Sequence, residues 1–146
     1  ESAQNDSSTR QEIRLGSIYS AQSKEWSNLI YEFRKQTKQE VTFNIIQAPT
    51  ETLKAKLKSG ALDMAFIDGD KRKYIEYYEM TLAHLSAGGY IIADNTLWDG
   101  HVLEQPRNTD AQTIGIKAFN DLVAWDARVE KVILPLRDGL TIIRKK

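Results

Sequence analysis

From residue 13 onward the rhythm of apolar and polar positions changes repeatedly. Ile13-Arg14-Leu15-Gly16-Ser17-Ile18-Tyr19 predicts a short strand. Trp26, Leu29, Ile30 and Phe33 recur at helical spacing and define one apolar face, with Ser23 placed to cap that helix. Val41-Thr42-Phe43-Asn44-Ile45-Ile46 is β-branched and aromatic, the composition of a strand. A short helix is predicted from Thr50 to Lys58, with Leu53 and Leu57 turned inward. Leu62 to Asp68 reads as a buried strand ending in an acid. A longer helix follows, from about Lys73 to Leu85, with Tyr74, Tyr78, Leu82 and Leu85 along one face, and Ser86-Ala87-Gly88-Gly89 stops it. Tyr90 to Asn95 is a further apolar strand ending in polar groups, and a loop runs from about Thr96 to Asp110. Ile116, Phe119 and Val123 mark the last helix. Val129 to Leu136 and Leu140 to Arg144 form two strands around Arg137-Asp138-Gly139, where an Asp-Gly pair between apolar runs signals a hairpin.

Strands alternating with helices imply an α/β fold: a mostly parallel sheet with helices on both faces. The closing hairpin makes the last strand antiparallel, an uncommon addition to a doubly wound sheet. The 146 residues suffice for one domain with a real core, here residues 13–146. Residues 1–12, ESAQNDSSTRQE, are nearly devoid of apolar side chains and read as a disordered tail or solvent loop. Asn5-Asp6-Ser7 fits a glycosylation sequon, a pattern short enough to arise by chance. Twenty basic and twenty acidic residues give a formal net charge of zero, which argues against a nucleic-acid binder. No apolar run approaches a membrane span and no secretory segment opens the chain, so the expectation is a cytoplasmic protein without a membrane partner. The absence of cysteine excludes disulfides and thiolate metal sites.

In open α/β sheets ligands bind beyond the carboxyl ends of the strands. Two strands end there in oxygen ligands: Asp68 in Phe-Ile-Asp-Gly-Asp-Lys, and Asp94 with Asn95 in Ile-Ile-Ala-Asp-Asn. If the strands are neighbours, two carboxylates and an amide carbonyl converge, a hard-oxygen set suited to Mg²⁺ or Ca²⁺. Zinc is disfavoured, since neither histidine lies near this cluster. Each segment alone is as well explained by helix capping or turn formation; it is the pair, on consecutive apolar strands, that points to a metal. Lys71, three residues past Asp68, is placed to act as a base beside a cation. As one of three consecutive basic residues, it reads more simply, on residue type alone, as a solvated surface lysine.

Phe66-Ile-Asp-Gly-Asp-Lys-Arg-Lys-Tyr74, Tyr77-Tyr78-Glu79, Gly88-Gly89, Ala93-Asp94-Asn95-Thr96-Leu97-Trp98-Asp99-Gly100 and Leu134-Pro-Leu-Arg-Asp-Gly-Leu-Thr141 together resemble the cation-dependent O-methyltransferases, the family of the caffeoyl-CoA and catechol enzymes. The match runs from about Trp26 to the C-terminus, and the D-x-D-K-x-x-Y and D-N-x-L-W-x-G pair is specific. The resemblance implies the Rossmann-like class I methyltransferase sheet. It implies S-adenosylmethionine as methyl donor, and Mg²⁺, Ca²⁺ or Mn²⁺ held by Asp68, Asp94 and Asn95. Lys71 would take the proton of a phenolic, catechol-like or hydroxycinnamoyl-type hydroxyl. Asp68 and Asp70 would lie on the donor side, Ala48 at the adenine end, and Trp98 would wall the substrate or donor pocket.

The chain departs from the family pattern at its start. The only early glycine is Gly16, in Leu15-Gly16-Ser17, where the family has a Gly-rich turn for the donor. The position of the ribose-binding acid falls near Ala21, where there is no Asp or Glu. Truncation, natural loss of donor binding, or a strand supplied by a partner chain would each explain this. A missing central strand would leave open edges, and a homodimer is therefore expected. The competing expectation is a catalytically inactive metal-binding or interaction module of the same fold. Metal-dependent phosphoryl chemistry ranks last, for want of a phosphate-cradling loop.

Overall fold

The protein is described by a computed structural model that covers residues 11–17, 30–36, 41–104 and 110–146. Strand β1 spans Gln11–Ser17, residues 30–36 form helix α1, and β2 spans Val41–Gln47. There follow α2 (Thr50–Lys58), β3 (Met64–Ile67), a 3-10 turn (Lys71–Lys73), α3 (Tyr74–His84) and β4 (Tyr90–Asp94). A second 3-10 segment (Trp98–Leu103), α4 (Ala111–Trp125), β5 (Val129–Leu134) and β6 (Leu140–Lys145) complete the order. Ser23, Trp26, Leu29, Ala21 and the Asn5 sequon lie outside the described residues.

The strands form one six-stranded sheet in the order β2-β1-β3-β4-β6-β5. The first four are parallel, and β6 alone runs in the opposite direction, antiparallel to β4 on one side and to β5 on the other. This is the Rossmann-like architecture with a closing hairpin that the alternation of elements implies. Two expectations are corrected at the N-terminal side. Strand β1 begins at Gln11, inside the stretch read as a tail. It also fills the middle of the sheet: it pairs with β2 from Gln11↔Val41 to Ser17↔Gln47, and with β3 through Leu15↔Met64 and Gly16↔Ala65. Among the described residues the sheet is continuous, so the open edges expected in mid-sheet are not found there. The start of the β1–β3 contact is clamped by Arg14, whose backbone N–H and Nε both donate to Asp63 Oδ2 at 2.9 Å and whose Nη2 donates to Oδ1 at 2.7 Å.

Helices α2, α3 and α4 bury against the same face of the sheet, through Leu57, Tyr74, Tyr78, Leu82, Ile116, Phe119 and Val123 over Ile67, Ile91, Ala93 and Ile143. Phe119 is the hub: the rings of Tyr74 and Tyr78 meet it edge-on, with centroids 5.4 and 5.9 Å away. These edge-to-face pairs add to area burial because a ring's positive edge meets a negative face. Right-handed crossovers place α1, which leads outward from β1 to β2, on the opposite face. There Phe33 stacks edge-on against Phe43 of β2, at 5.7 Å. Toward the other edge of that same sheet the side chains are less covered, with Tyr90 and Val132 exposed. Among the described residues, no helix is long and apolar enough to cross a membrane.

Candidate active site

Parallel pairing of β3 with β4 sets Ile67 opposite Ala93, so the next residues of both strands, Asp68 and Asp94, emerge together at the carboxyl edge. After Asp68, Gly69 and Asp70 turn the chain into the Lys71–Lys73 segment. Asp70 caps this segment, its Oδ1 accepting from the Arg72 N–H at 3.1 Å, and the Arg72 guanidinium grips the same carboxylate. Arg72 and Lys73 face solvent, and Lys71 is driven inward, with 4% of its surface exposed. The reading of Lys71 as a solvated surface lysine is therefore corrected.

The Lys71 ammonium donates to Asn95 Oδ1 at 2.9 Å and to the Tyr74 hydroxyl, and lies 3.6 Å from Asp68 Oδ1. It sits over the Tyr74 ring, 4.5 Å from its centroid, and 5.7 Å from that of Trp98. Burial pulls the Lys71 pKa below its ordinary value, opposed by the charges of Asp68, Asp94 and Asp138 and a hydrogen bond to Asp68. Tyr74 is fully buried; its hydroxyl donates to the Asp94 carbonyl at 2.9 Å, and the Ile67 carbonyl lies 3.3 Å away. One phenol thus ties the ends of both strands to the lysine. Burial raises the Tyr74 pKa, so it stays protonated as a donor.

Helix α4 supplies the other half of the support. Asp110 caps it, accepting from the Thr113 N–H at 3.1 Å. Gln112 Oε1 accepts from the Lys71 backbone N–H at 2.9 Å. Gly115 lets the helix lie directly on the Lys71–Arg72 backbone, for a Cβ there would come within 2.5 Å of the Lys71 carbonyl oxygen. Tyr74 is legible from its spacing in D-x-D-K-x-x-Y. Gln112 and Gly115 carry no local signal, because their partner lies some forty residues earlier in the chain.

Asp68, Asp94, Asn95, Lys71 and Trp98 are brought to one place. Asp94 Oδ1 accepts from the Asn95 N–H at 2.7 Å, which fixes the carboxylate at the strand end. Among the described residues no group of three or more His, Cys, Asp or Glu side chains assembles a metal cage. The donor set at this edge is two carboxylates and one amide oxygen, fitting a hard divalent cation that keeps solvent or substrate oxygens in its shell. Both histidines are elsewhere: His84 Nδ1 lies 2.8 Å from the Met80 carbonyl, and His101 faces Glu104.

Ala48 and Asp70 stand apart from that cluster. Ala48 is buried at the end of β2, its N–H donating to the Ser17 carbonyl at 3.2 Å. Asp70 is held by Arg72 and Gln112, and the Arg72 hydrogen bonds lower its pKa to about 2. An apolar cleft near the strand ends is lined by Gly16, Leu53, Leu62, Phe66, Asp68 and Tyr77, and by neither Ala48 nor Asp70. Its cavity volume is about 80 Å³, against roughly 300–1,000 Å³ for ordinary small-molecule sites. Leu62 closes the Gly16 end: a Cβ on Gly16 would lie 2.6 Å from Leu62 Cδ1.

With an acid–amide pair, an acid and a buried lysine at adjoining strand ends, the sequence comparison is decisive. The O-methyltransferase family model matches residues 16–146. The chain belongs to the O-methyltransferase family. Among curated members of that family, it is 38% identical over 103 residues to "Probable caffeoyl-CoA O-methyltransferase 1" of Dictyostelium discoideum, a match covering 68% of this chain and 45% of that protein. It is 46% identical over 91 residues to "Tricin synthase 2" of Oryza sativa subsp. japonica, covering 59% of this chain and 31% of that protein. The chain thus spans less than half the length of these relatives. In fold it is similar to a Bacillus cereus O-methyltransferase solved in complex with SAH, with TM-score 0.60 and 18% identity over 94% of this chain and 74% of that one. An SAH-bound methyltransferase of Podospora anserina gives TM-score 0.53 and 25% identity over 92% and 61%.

Proposed function

We propose that this chain is the cation-binding half of a cytoplasmic S-adenosylmethionine-dependent O-methyltransferase acting on a small catechol-like or hydroxycinnamoyl-type hydroxyl. The observation that carries the reading is the buried Lys71 ammonium, 2.9 Å from Asn95 Oδ1 and 3.6 Å from Asp68 Oδ1. Asp68, Asp94 and Asn95 would hold Mg²⁺, Ca²⁺ or Mn²⁺, which when bound lowers the pKa of a neighbouring phenolic hydroxyl. In its neutral amine form Lys71 Nζ accepts the phenolic proton and becomes the ammonium, and its partial desolvation favours that neutral form. Tyr74 holds that amine in place. Trp98 walls the pocket on the substrate side, while Asp70 and Ala48 lie toward the methyl donor. Alignment of the acceptor oxygen with the donor methyl supplies most of the rate gain.

Calorimetric titration of Mg²⁺ into the purified chain tests the metal assignment. Asp68→Ala and Asp94→Ala are each expected to abolish binding, and unchanged affinity in either would refute it. Titration of S-adenosylmethionine with Mg²⁺ present then tests the donor. A second reading, a module that binds cation but not donor by itself, is favoured by the 80 Å³ cleft and its closure by Leu62. Cation binding without donor binding would select it. We also propose a homodimer, to which the exposed Trp125 at the end of α4 and Val132 and Ile133 of the edge strand β5 would contribute. A monodisperse monomer in sedimentation would rule that out.

A further inference from the structure

The hairpin turn Arg137-Asp138-Gly139 lies far from Asp94 in sequence but packs against the loop that follows it. Three loop amides donate to the turn: Thr96 N–H to the Gly139 carbonyl at 3.1 Å, Leu97 N–H to the Asp138 carbonyl at 2.9 Å, and Asp99 N–H to Asp138 Oδ1. The contact is closed from below by Thr141 Oγ1, which donates to Thr96 Oγ1 at 2.8 Å between two buried residues. All four non-glycine residues with positive φ among those described lie in these two segments: Asn95 at 55°, Trp98 at 50°, Asp99 at 52° and Arg137 at 52°. Gly139, at φ 85°, must be glycine on two counts, since a Cβ would also lie 2.7 Å from the Leu97 backbone nitrogen. Side-chain-bearing residues keep left-handed backbone only where surrounding contacts overdetermine it.

We propose that Asp138 is a positioning residue for the Asp94–Asn95 pair and for Trp98. It accepts from the loop through both its carbonyl and its carboxylate, so the hairpin turn holds Asn95 in the conformation that aims its amide oxygen at the cation-binding position. The β5–β6 hairpin is then part of the active site. The metal arm of this proposal rests on the cation assignment above; the conformational arm does not.

The test compares wild type, D138A and D138N by Mn²⁺ titration and by amide hydrogen exchange of the cation-free protein. D138A is expected to weaken Mn²⁺ by about tenfold or more, the usual cost of losing a partner that orients a ligand. D138N keeps the oxygen acceptor and is expected within about threefold of wild type. In D138A the Asp99 amide, which loses its carboxylate partner, should exchange faster while the core amides of β4 and α4 do not. Unchanged Asp99 protection in folded D138A overturns the proposal, as does wild-type Mn²⁺ affinity. If wild type itself binds no Mn²⁺, the cation assignment fails and the exchange arm alone decides the brace. Should D138A not fold, T141V, which removes the Thr96–Thr141 hydroxyl contact, takes its place. Faster Leu97 exchange then supports the brace and unchanged exchange refutes it.

Discussion

The carboxyl edge of the sheet has two ends built by opposite means. At the ends of β3 and β4 the site is polar and crosslinked: Lys71 touches Asn95, Tyr74 and Asp68, and α4 reaches in with Gln112. At the ends of β1 and β2 it is apolar, with Gly16 beside Leu62 and Leu53 and Ala48 buried, and there is little room. Buried charges persist only when paired, so the first end must be pre-organised by the fold itself. The second end makes no comparable demand, and hydrophobic side chains fill it. The difference teaches that the polar cluster is assembled by β3, β4 and α4 without drawing on contacts from the β1–β2 end.

The sharpest way to break the contrast is Lys71→Met. Methyl transfer is expected to fall by about 10²–10⁴-fold, the usual yield of a positioned base. Mg²⁺ should bind more tightly, by about three- to tenfold, because the ammonium no longer offsets the acids. Activity assays and calorimetry together check this; weaker Mg²⁺ binding would mean that Lys71 organises the ligands rather than competing with the cation.

Next is Phe119→Ala, which removes the ring on which Tyr74 and Tyr78 rest. A loss of about 3–5 kcal/mol in denaturant unfolding is expected, with the polar end loosening because Tyr74 loses its support. Gly16→Ala probes the other end. Its Cβ meets Leu62 Cδ1 at 2.6 Å, and overpacking of this kind costs about 1–3 kcal/mol. Cation affinity should not move, since the two ends are independent. Coupled loss of cation binding would erase the distinction.

The smallest effect concerns pH. Arg72 holds the Asp70 pKa down at about 2 in the folded chain. A depressed carboxylate contributes stability above its unfolded value, and that contribution is lost as pH falls toward 2. Asp70→Asn should therefore flatten part of the acid limb of a pH–stability curve and leave the neutral plateau slightly lower. An unchanged limb would show that the Asp70–Arg72 pair is no more than a surface contact.

Much of this was legible along the chain. Period-two and helical runs located β2 to β6 and α2 to α4 to within a few residues, because each element buries a stripe. Asp68, Asp94 and Asn95 were readable because a strand end is a position that sequence can mark. β1 was less so: Gln11 and Glu12 are polar, and nothing local announces that their backbone pairs with Val41 and Thr42. The inward turn of Lys71 was also hidden, since Lys71, Arg72 and Lys73 are chemically alike and a short 3-10 segment selects which one points inside.

The sequence by itself determined the α/β class, the oxygen-bearing side chains at the strand ends and the family, because these depend on local periodicity and on residue types at short spacing. The tertiary structure alone decided that β1 closes the sheet, that Gln112 and Gly115 seat Lys71, and that the Asp138 turn holds the Asn95 loop. Each of these is a contact across tens of residues. Such contacts exist only once burial has brought the segments together, so no stretch of sequence read alone carries them.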